Sequence, residues 1–148
     1  MKNINKKTLT TGIGIILLLL LFPMHALAQT GLAVKGIFDT YGHSKGCKMV
    51  EMTHTRLEGY KLDVYKSISF KHSVSDIRQR LLADRKKAKK IQEVIEDGEV
   101  ASGYYMMSQL SNGANRYVLF HFEEKSGVIV YIEGKLKPQD ILRITTVK

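Results

Sequence analysis

Cys47 is the only cysteine of this 148-residue chain, and it is a candidate nucleophile. A reactive thiolate needs a base or a cation beside it, and a histidine can supply either. The histidines considered for this role are His43, His54, His72 and His121. With Asp84 beside the imidazole, such a pair could be the active site of a small hydrolase. No local signature supports the pairing, so histidines scattered over surface and core are the competing interpretation, and we assign no catalytic residue.

Motifs for binding a metal ion or a phosphate group are missing from the sequence. No two histidines show a ligand spacing such as His-x-x-x-His, and there is no acidic calcium-binding loop. The pair Gly12-x-Gly14 belongs to an N-terminal apolar run rather than to a phosphate-binding loop. The sequence therefore predicts neither a metal site nor a cofactor.

A basic run at positions 85–90 offers a second kind of site, one for a polyanion. Lipopolysaccharide phosphate, nucleic acid and an acidic glycan all carry the matching charge. The residues that we assign to this site are Arg85, Lys86, Lys89 and Lys90. Because no aromatic residue interleaves with the lysines, stacking on nucleic-acid bases has no support. The alternative is an ordinary solvated helix surface, whose positive field Glu93 dilutes one turn later.

Tyrosines in the C-terminal half form the third candidate, a ligand-binding face. Tyrosine combines an apolar ring with a polar tip, and it is common at interfaces and at sugar- or peptide-binding surfaces. The residues assigned to this face, beside Met107, are Tyr105, Tyr117, His121 and Tyr131. The alternative, which stays open at this point, is a second core face covered by the N-terminal helix.

These side chains need a scaffold, and the sequence predicts one long helix from Ser73 to Asp97 at its centre. Apolar residues recur there at helical spacing, at Ile77, Leu81, Ala88, Ile91 and Ile95. A serine can cap its start, and Gly98 follows its end. Asp84 interrupts the apolar stripe. Because a lone buried carboxylate is costly, we expect either an ion pair with Arg80 or Lys87, or an acid that faces a pocket.

Short strands are predicted on both sides of the helix. Alternating residue types indicate strands over 48–56 and 65–72. Turn residues at 111–114 and 124–127 divide a three-strand meander over 103–110, 116–123 and 128–133, whose strands are apolar on both faces. Asn112-Gly113 marks a hairpin within the meander. Helices over 31–41 and after Pro138 complete the order α-β-β-α-β-β-β-α. The expected fold class is α+β, with an antiparallel sheet of two strands plus the meander packed on one long central helix.

The first 28 residues have the features of a secretory signal peptide. Lysines at positions 2, 6 and 7 precede an apolar run over 13–22, and Ala26 and Ala28 supply small residues at a cleavage site. Cleavage is expected between Ala28 and Gln29. The apolar run is short against the ~20 residues of a spanning helix, and the alternative is an uncleaved anchor in the inner membrane.

Composition predicts that the remaining residues, 29–148, form a single α+β domain. They contain all 14 acids and all but three of the 23 lysines and arginines, so their formal charge is +6 against +9 for the whole chain. With one cysteine, the domain has no intrachain disulfide and must rest on an apolar core. Cys47 is then either free or paired with another chain.

The order of these segments resembles a known group of proteins. A signal, Gly31-Leu32, Tyr65-Lys66-Ser67-Ile68, a long helix with an acid, and Tyr131-Ile132-Glu133-Gly134 before a last helix are similar to small exported proteins of unknown function common in Bacteroidetes. The resemblance covers most of the chain after the signal. It implies export and a compact α+β domain. It carries over no catalytic residue, because that family has no assigned reaction.

We therefore expect an exported domain, periplasmic or extracellular, that binds a ligand or another protein and is not an enzyme. Binding of a polyanion or of the envelope surface through the basic run is one alternative. A hydrolase that uses Cys47 and a histidine is the other. The expected partner is another envelope protein or a glycan, not nucleic acid, and no membrane span is expected after cleavage.

Overall fold

The computed structural model describes residues 31–146. From Ala33 onward these residues form one compact unit. The predicted signal peptide, with its cleavage site at Ala26 and Ala28, lies outside the described residues. Within residues 31–146, no helix is long and apolar enough to cross a membrane.

The described chain contains three helices and six strands, and the fold is α+β. In chain order the elements are α1 (Ala33–Tyr41), β1 (Cys47–Leu57), β2 (Tyr60–Phe70), α2 (Val74–Arg85), β3 (Lys89–Glu96), β4 (Glu99–Met107), β5 (Asn115–Phe122), β6 (Gly127–Gly134) and α3 (Pro138–Thr146). All six strands form one antiparallel sheet in the order β1-β2-β6-β5-β4-β3. Strands β1 and β3 are therefore its edges.

The predicted central helix from Ser73 to Asp97 is wrong, and so is the predicted order of elements. The helix ends at Arg85, and the residues expected to form its second half make strand β3. The order is α-β-β-α-β-β-β-β-α, with no long central helix in the part of the chain that the structure describes. The sheet is a single one of six strands, rather than two strands plus a meander of three.

Strand β3 resembles a helix in sequence because its pairing with β4 is irregular. The register shifts twice, once after Lys90 and once after Val94. Each shift interrupts the two-residue alternation by which a strand is recognised, and the apolar residues then fall at nearly helical spacing. The following turn holds a clearer signal. Asp97 and Gly98 both have positive φ, as a two-residue type I′ hairpin turn requires.

The pairing register divides the residues of the sheet between two faces. Directly opposed residues of neighbouring strands share a face, and successive residues of one strand point to opposite faces. The helix-covered face is centred on Ile68, Phe70, Val118, Phe120, Ile129 and Tyr131. The half-open face carries Val50, Met52, Ser67, Ser69, Tyr117, Leu119, Val128 and Val130.

Helices α1 and α2 lie on the helix-covered face and are joined by Asp84. Their buried residues include Ile37, Phe38, Ile77 and Leu81. The Asp84 carboxylate accepts the backbone N–H groups of Ala33 and Val34, each at 2.9 Å. These N–H groups open α1, so a side chain of α2 caps another helix. The ion pair expected between Asp84 and Arg80 is wrong, because Arg80 bonds Asp76 at 3.1 Å.

Helix α3 covers only one end of the half-open face. It begins at Pro138, as predicted, where Asp140 accepts the N–H of Lys137 at 2.8 Å. The apolar cluster at this end consists of Leu62, Tyr117, Leu119, Ile132, Leu136 and Ile141. Outside this cluster, the exposed fractions are 49% for Val50 and 37% for Met52 on the edge strand β1, and 37% for Val128 at the other end of the face. The sheet thus has one face that forms a closed core and one that is closed at a single end.

Candidate functional site

The four residues predicted to form a ligand-binding face do not share one surface. Val118 lies opposite both Tyr105 and Tyr131, so these two tyrosines flank it on the helix-covered face. Tyr117 and His121 lie on the half-open face instead. The exposed fraction is 1% for Tyr105, 0% for Tyr117 and 1% for Tyr131. The three tyrosines therefore belong to the core, and His121 is the exposed member of the set.

Each of these buried tyrosines has an acceptor for its hydroxyl. Tyr105 donates to the Glu93 carboxylate, and Tyr131 donates to Oε1 of Glu133 at 2.5 Å. Tyr117 donates to a backbone carbonyl at 2.6 Å. Burial is the largest cause that raises the pKa of all three, and the carboxylate acceptors raise the pKa of Tyr105 and Tyr131 further. At neutral pH all three hydroxyls act as donors.

Two of the four residues predicted to bind a polyanion are engaged within the fold. Arg85 donates two hydrogen bonds to Glu93, at 2.5 and 3.0 Å, and Lys90 lies 3.6 Å from the same carboxylate. The hydrogen bond from Tyr105, and then Arg85, lower the pKa of Glu93. The other two predicted residues, Lys86 and Lys89, are exposed just after α2 and at the start of β3. Polyanion binding by this run remains a prediction.

A pocket of about 260 Å³, here called the Tyr131 pocket, lies between α1 and strands β1, β2 and β6. Tyr131 forms part of its wall. Lys66 pairs with Glu51 at 3.0 Å, and Lys35 lies 3.9 Å from Glu133. Both lysines of this pocket therefore have a carboxylate of the pocket as a partner.

The larger cavity, here called the strand-end groove, has a volume of about 540 Å³. One residue from each of four neighbouring strands forms a row across it on the half-open face. This row consists of Lys48, Ser69, Val128 and His121. Phe70 also borders the cavity, but its side chain is buried on the helix-covered face, where a Cβ at Gly127 would lie 2.6 Å from its ring. Because Gly127 has no Cβ, the ring of Phe70 can occupy this space.

The groove brings together two members of the predicted hydrolase, Cys47 and His121. Asp84 is not with them, because it caps α1. Within residues 31–146, no hydrogen bond joins Cys47 to a histidine, and burial raises the pKa of its thiol. A raised pKa keeps the thiol protonated and weakly nucleophilic. The described chain also holds no group of three histidine, cysteine, aspartate or glutamate side chains placed to bind a metal ion.

Three of the four residues in the row across the groove were not predicted from the sequence. Lys48, Ser69 and Val128 belong to no motif, and they are far apart in the chain. Their row exists only through the pairing of β1 with β2 and of β2 with β6. The turn at Glu58-Gly59 is a local signal for the pairing of β1 with β2, but no local signal records the pairing of β2 with β6.

Arg116 is a second residue that the sequence analysis missed. Arg116 lies two residues before Val118 on β5, so the two side chains share the helix-covered face. This two-residue spacing was a sequence signal that could have identified Arg116. The side chain is 2% exposed, and its Nε donates to the carbonyl of Ser108 at 2.6 Å. Its Nη1 has no hydrogen-bond partner among the described residues. A buried cation held by neutral acceptors is a costly feature of a core.

Comparison with known families places the chain among proteins without an assigned activity. A family model matches residues 21–145, so the chain belongs to the family of unknown function DUF6108. Neither the curated proteins nor the solved structures include a match. The predicted resemblance to a family of unknown function is confirmed to this extent. An origin in Bacteroidetes and export remain predictions.

Proposed function

We propose that this protein is a non-enzymatic binding module whose strand-end groove takes a ligand with an apolar body. The observation that carries the proposal is the groove of about 540 Å³, which is lined by the partly exposed Val128. Small-molecule sites commonly have volumes of ~300–1,000 Å³ and mostly apolar walls. His121 lines this groove, so one residue of the predicted ligand-binding set belongs to the proposed site.

The floor of the groove is suited to binding because it is already ordered. Strands β2 and β6 each pair on both sides, so Ser69 and Val128 sit on a backbone that is held by hydrogen bonds. A preformed floor saves the entropy that ordering a loop would cost on binding. Each Å² of apolar surface covered by a ligand contributes about 25 cal/mol.

We further propose export, because the first 28 residues combine a basic start, a short apolar run and alanines at 26 and 28. The mature protein would then be the single domain of residues 29–148, in the periplasm or outside the cell. Mass spectrometry of the exported protein is expected to show Gln29 at its N-terminus. Membrane-bound protein that retains Met1 would instead support an uncleaved anchor.

The binding function can be tested with N-phenyl-1-naphthylamine, a neutral dye whose fluorescence rises in apolar surroundings. Val128→Asp is expected to weaken dye binding by about tenfold or more, because it puts a charge on the groove floor. Val94→Asp is the matched control, since Val94 on β3 has the same exposed fraction of 37% and lies outside the groove. Equal binding by both variants would remove the groove as the site.

The basic run supports a second candidate function, polyanion binding. Lys86 and Lys89 are exposed, and neither makes an ion pair within the described residues. The double variant Lys86→Gln/Lys89→Gln is expected to elute from heparin at lower salt than the parent protein. Lys61→Gln/Lys137→Gln makes the same change in net charge elsewhere, and an equal shift from it would show a non-specific charge effect.

A further inference from the structure

Two lysines border the strand-end groove without a partner of opposite charge. Lys48 belongs to the row across the groove, and Lys71 follows Phe70 at the end of β2. Neither side chain makes an ion pair or a hydrogen bond within residues 31–146. The carboxylate that lines this groove, Glu123, accepts a hydrogen bond from the hydroxyl of Ser126 at 2.5 Å.

In the Tyr131 pocket of the same protein, by contrast, each lysine has a carboxylate partner. Lys66 lies 3.0 Å from Glu51, and Lys35 lies 3.9 Å from Glu133. In the strand-end groove the two lysines outnumber the single lining carboxylate, Glu123. The groove therefore combines a mostly apolar lining surface with an excess of positive charge. A positive charge next to apolar surface attracts a ligand that has an anionic end.

We infer that the groove binds an amphiphile with a single negatively charged head and an apolar body, of the class of long-chain carboxylates. The inference rests on the proposed function of the groove and adds the charge of its ligand. The head lies against the ammonium groups of Lys48 and Lys71. The body covers Val128.

The occupant is one free amphiphile rather than a membrane surface. The groove is a bounded volume of about 540 Å³ at the ends of four strands, which is the scale of a single small ligand. Membrane-surface binding uses a helix with a broad apolar face and many basic residues. The groove instead offers two lysines on a sheet.

The experiment compares three amphiphiles with the same twelve-carbon chain, each below its micelle concentration. Dodecanoate is anionic, dodecyl maltoside is neutral and dodecyltrimethylammonium is cationic. Each would displace N-phenyl-1-naphthylamine from the full-length protein. Dodecanoate is expected to bind at least tenfold more tightly than dodecyl maltoside, with dodecyltrimethylammonium the weakest. The double variant Lys48→Gln/Lys71→Gln is expected to bring dodecanoate to the level of dodecyl maltoside and to leave dodecyl maltoside unchanged.

Lys61→Gln/Lys137→Gln is the control, because it removes the same charge from residues that do not line the groove. Loss of dodecanoate binding in this control would overturn the inference. Equal affinity for all three amphiphiles, still abolished by Val128→Asp, would overturn the anionic head and leave the proposed binding function standing. Absence of all binding would remove both. Binding to anionic phospholipid vesicles without binding of free dodecanoate would also overturn the inference. Circular dichroism would verify that each variant is folded.

Discussion

The two faces of the sheet use the same strands and bury their apolar residues to different degrees. On the helix-covered face, α1 and α2 close over the side chains of four central strands. On the half-open face, α3 closes one end and leaves Val50, Met52 and Val128 partly exposed. The contrast is sharpest within β6, where the neighbouring residues Ile129 and Val128 are 0% and 37% exposed.

This difference indicates that stability and binding are carried by opposite sides of one sheet. A closed face contributes the apolar burial that offsets the entropy cost of folding. A face that is closed at one end keeps apolar surface available for a ligand without loosening the core. Substitutions on the two faces should therefore separate effects on folding from effects on binding.

The largest expected effect comes from truncating the same strand on its two faces. Ile129→Ala removes fully buried methyl groups and should lower the free energy of unfolding by about 2–5 kcal/mol. Val128→Ala, one residue earlier, should lower it by less than about 1 kcal/mol. Urea denaturation followed by circular dichroism measures both. Similar losses from the two variants would mean that the half-open face is covered as well as the other.

A smaller effect is expected where Asp84 joins α2 to α1. Asp84→Ala leaves the N–H groups of Ala33 and Val34 without their acceptor and should cost about 2 kcal/mol, the upper end for loss of an N-cap. Asp39→Ala, on α1 itself, removes an exposed carboxylate and should change stability by less than about 0.5 kcal/mol. Denaturation midpoints compare the two, and equal changes would contradict a capping role for Asp84.

Much of the fold follows from local features of the sequence. The helix at Ala33–Tyr41, the helix that begins at Pro138 and the strands β4 to β6 were all expected near their observed positions. Their signals are short-range: turn residues between the strands, a proline suited to the first turn of a helix, and glycines at the ends of elements. Strand β3 was not predicted, because the two register shifts that break its alternation exist only in its pairing with β4.

Two dipeptides of the same type, Asn112-Gly113 and Asp97-Gly98, form turns of different geometry. Asn112-Gly113 predicts a two-residue type I′ turn, but only Gly113 of the pair has positive φ. The chain does turn tightly there, over residues 111–113: the N–H of Leu110 donates to the carbonyl of Ala114 at 2.9 Å, and the N–H of Gly113 donates to the carbonyl of Leu110 at 3.0 Å. Asp97-Gly98, which was interpreted as the end of a helix, is the two-residue turn. Dipeptides of this kind show that the chain turns, and the strands beside them decide the geometry of the turn.

The candidate site was less predictable than the fold because it depends on register. A shift of one residue moves a side chain to the other face of a sheet. The tyrosines were grouped by type, and the register separates Tyr117 from Tyr105 and Tyr131. The strand-end groove needs the alignment of four strands, which no single stretch of sequence records.

The smallest expected effect is a loss of stability at high pH, which arises from the hydroxyls of the buried tyrosines. In the unfolded chain these groups ionise near the ordinary pKa of 10.0, whereas burial, and then the Glu133 carboxylate, raise the pKa of Tyr131 well above that value. The unfolded state therefore loses its proton first as the pH rises. The stability from this group is fully present below pH 10.0 and is lost as the pH rises through the folded pKa.

Tyr131→Phe should therefore reduce the loss of unfolding free energy between about pH 9 and pH 11, even if the variant is less stable at neutral pH. Tyr117→Phe, on the half-open face, should reduce that loss by a smaller amount. Burial also raises the pKa of Tyr117, but its acceptor is the neutral carbonyl of Leu136 rather than a carboxylate. Urea denaturation of both variants across this range measures the two slopes. A larger reduction from Tyr117→Phe would place the stronger electrostatic constraint on the half-open face and would reverse the contrast between the faces.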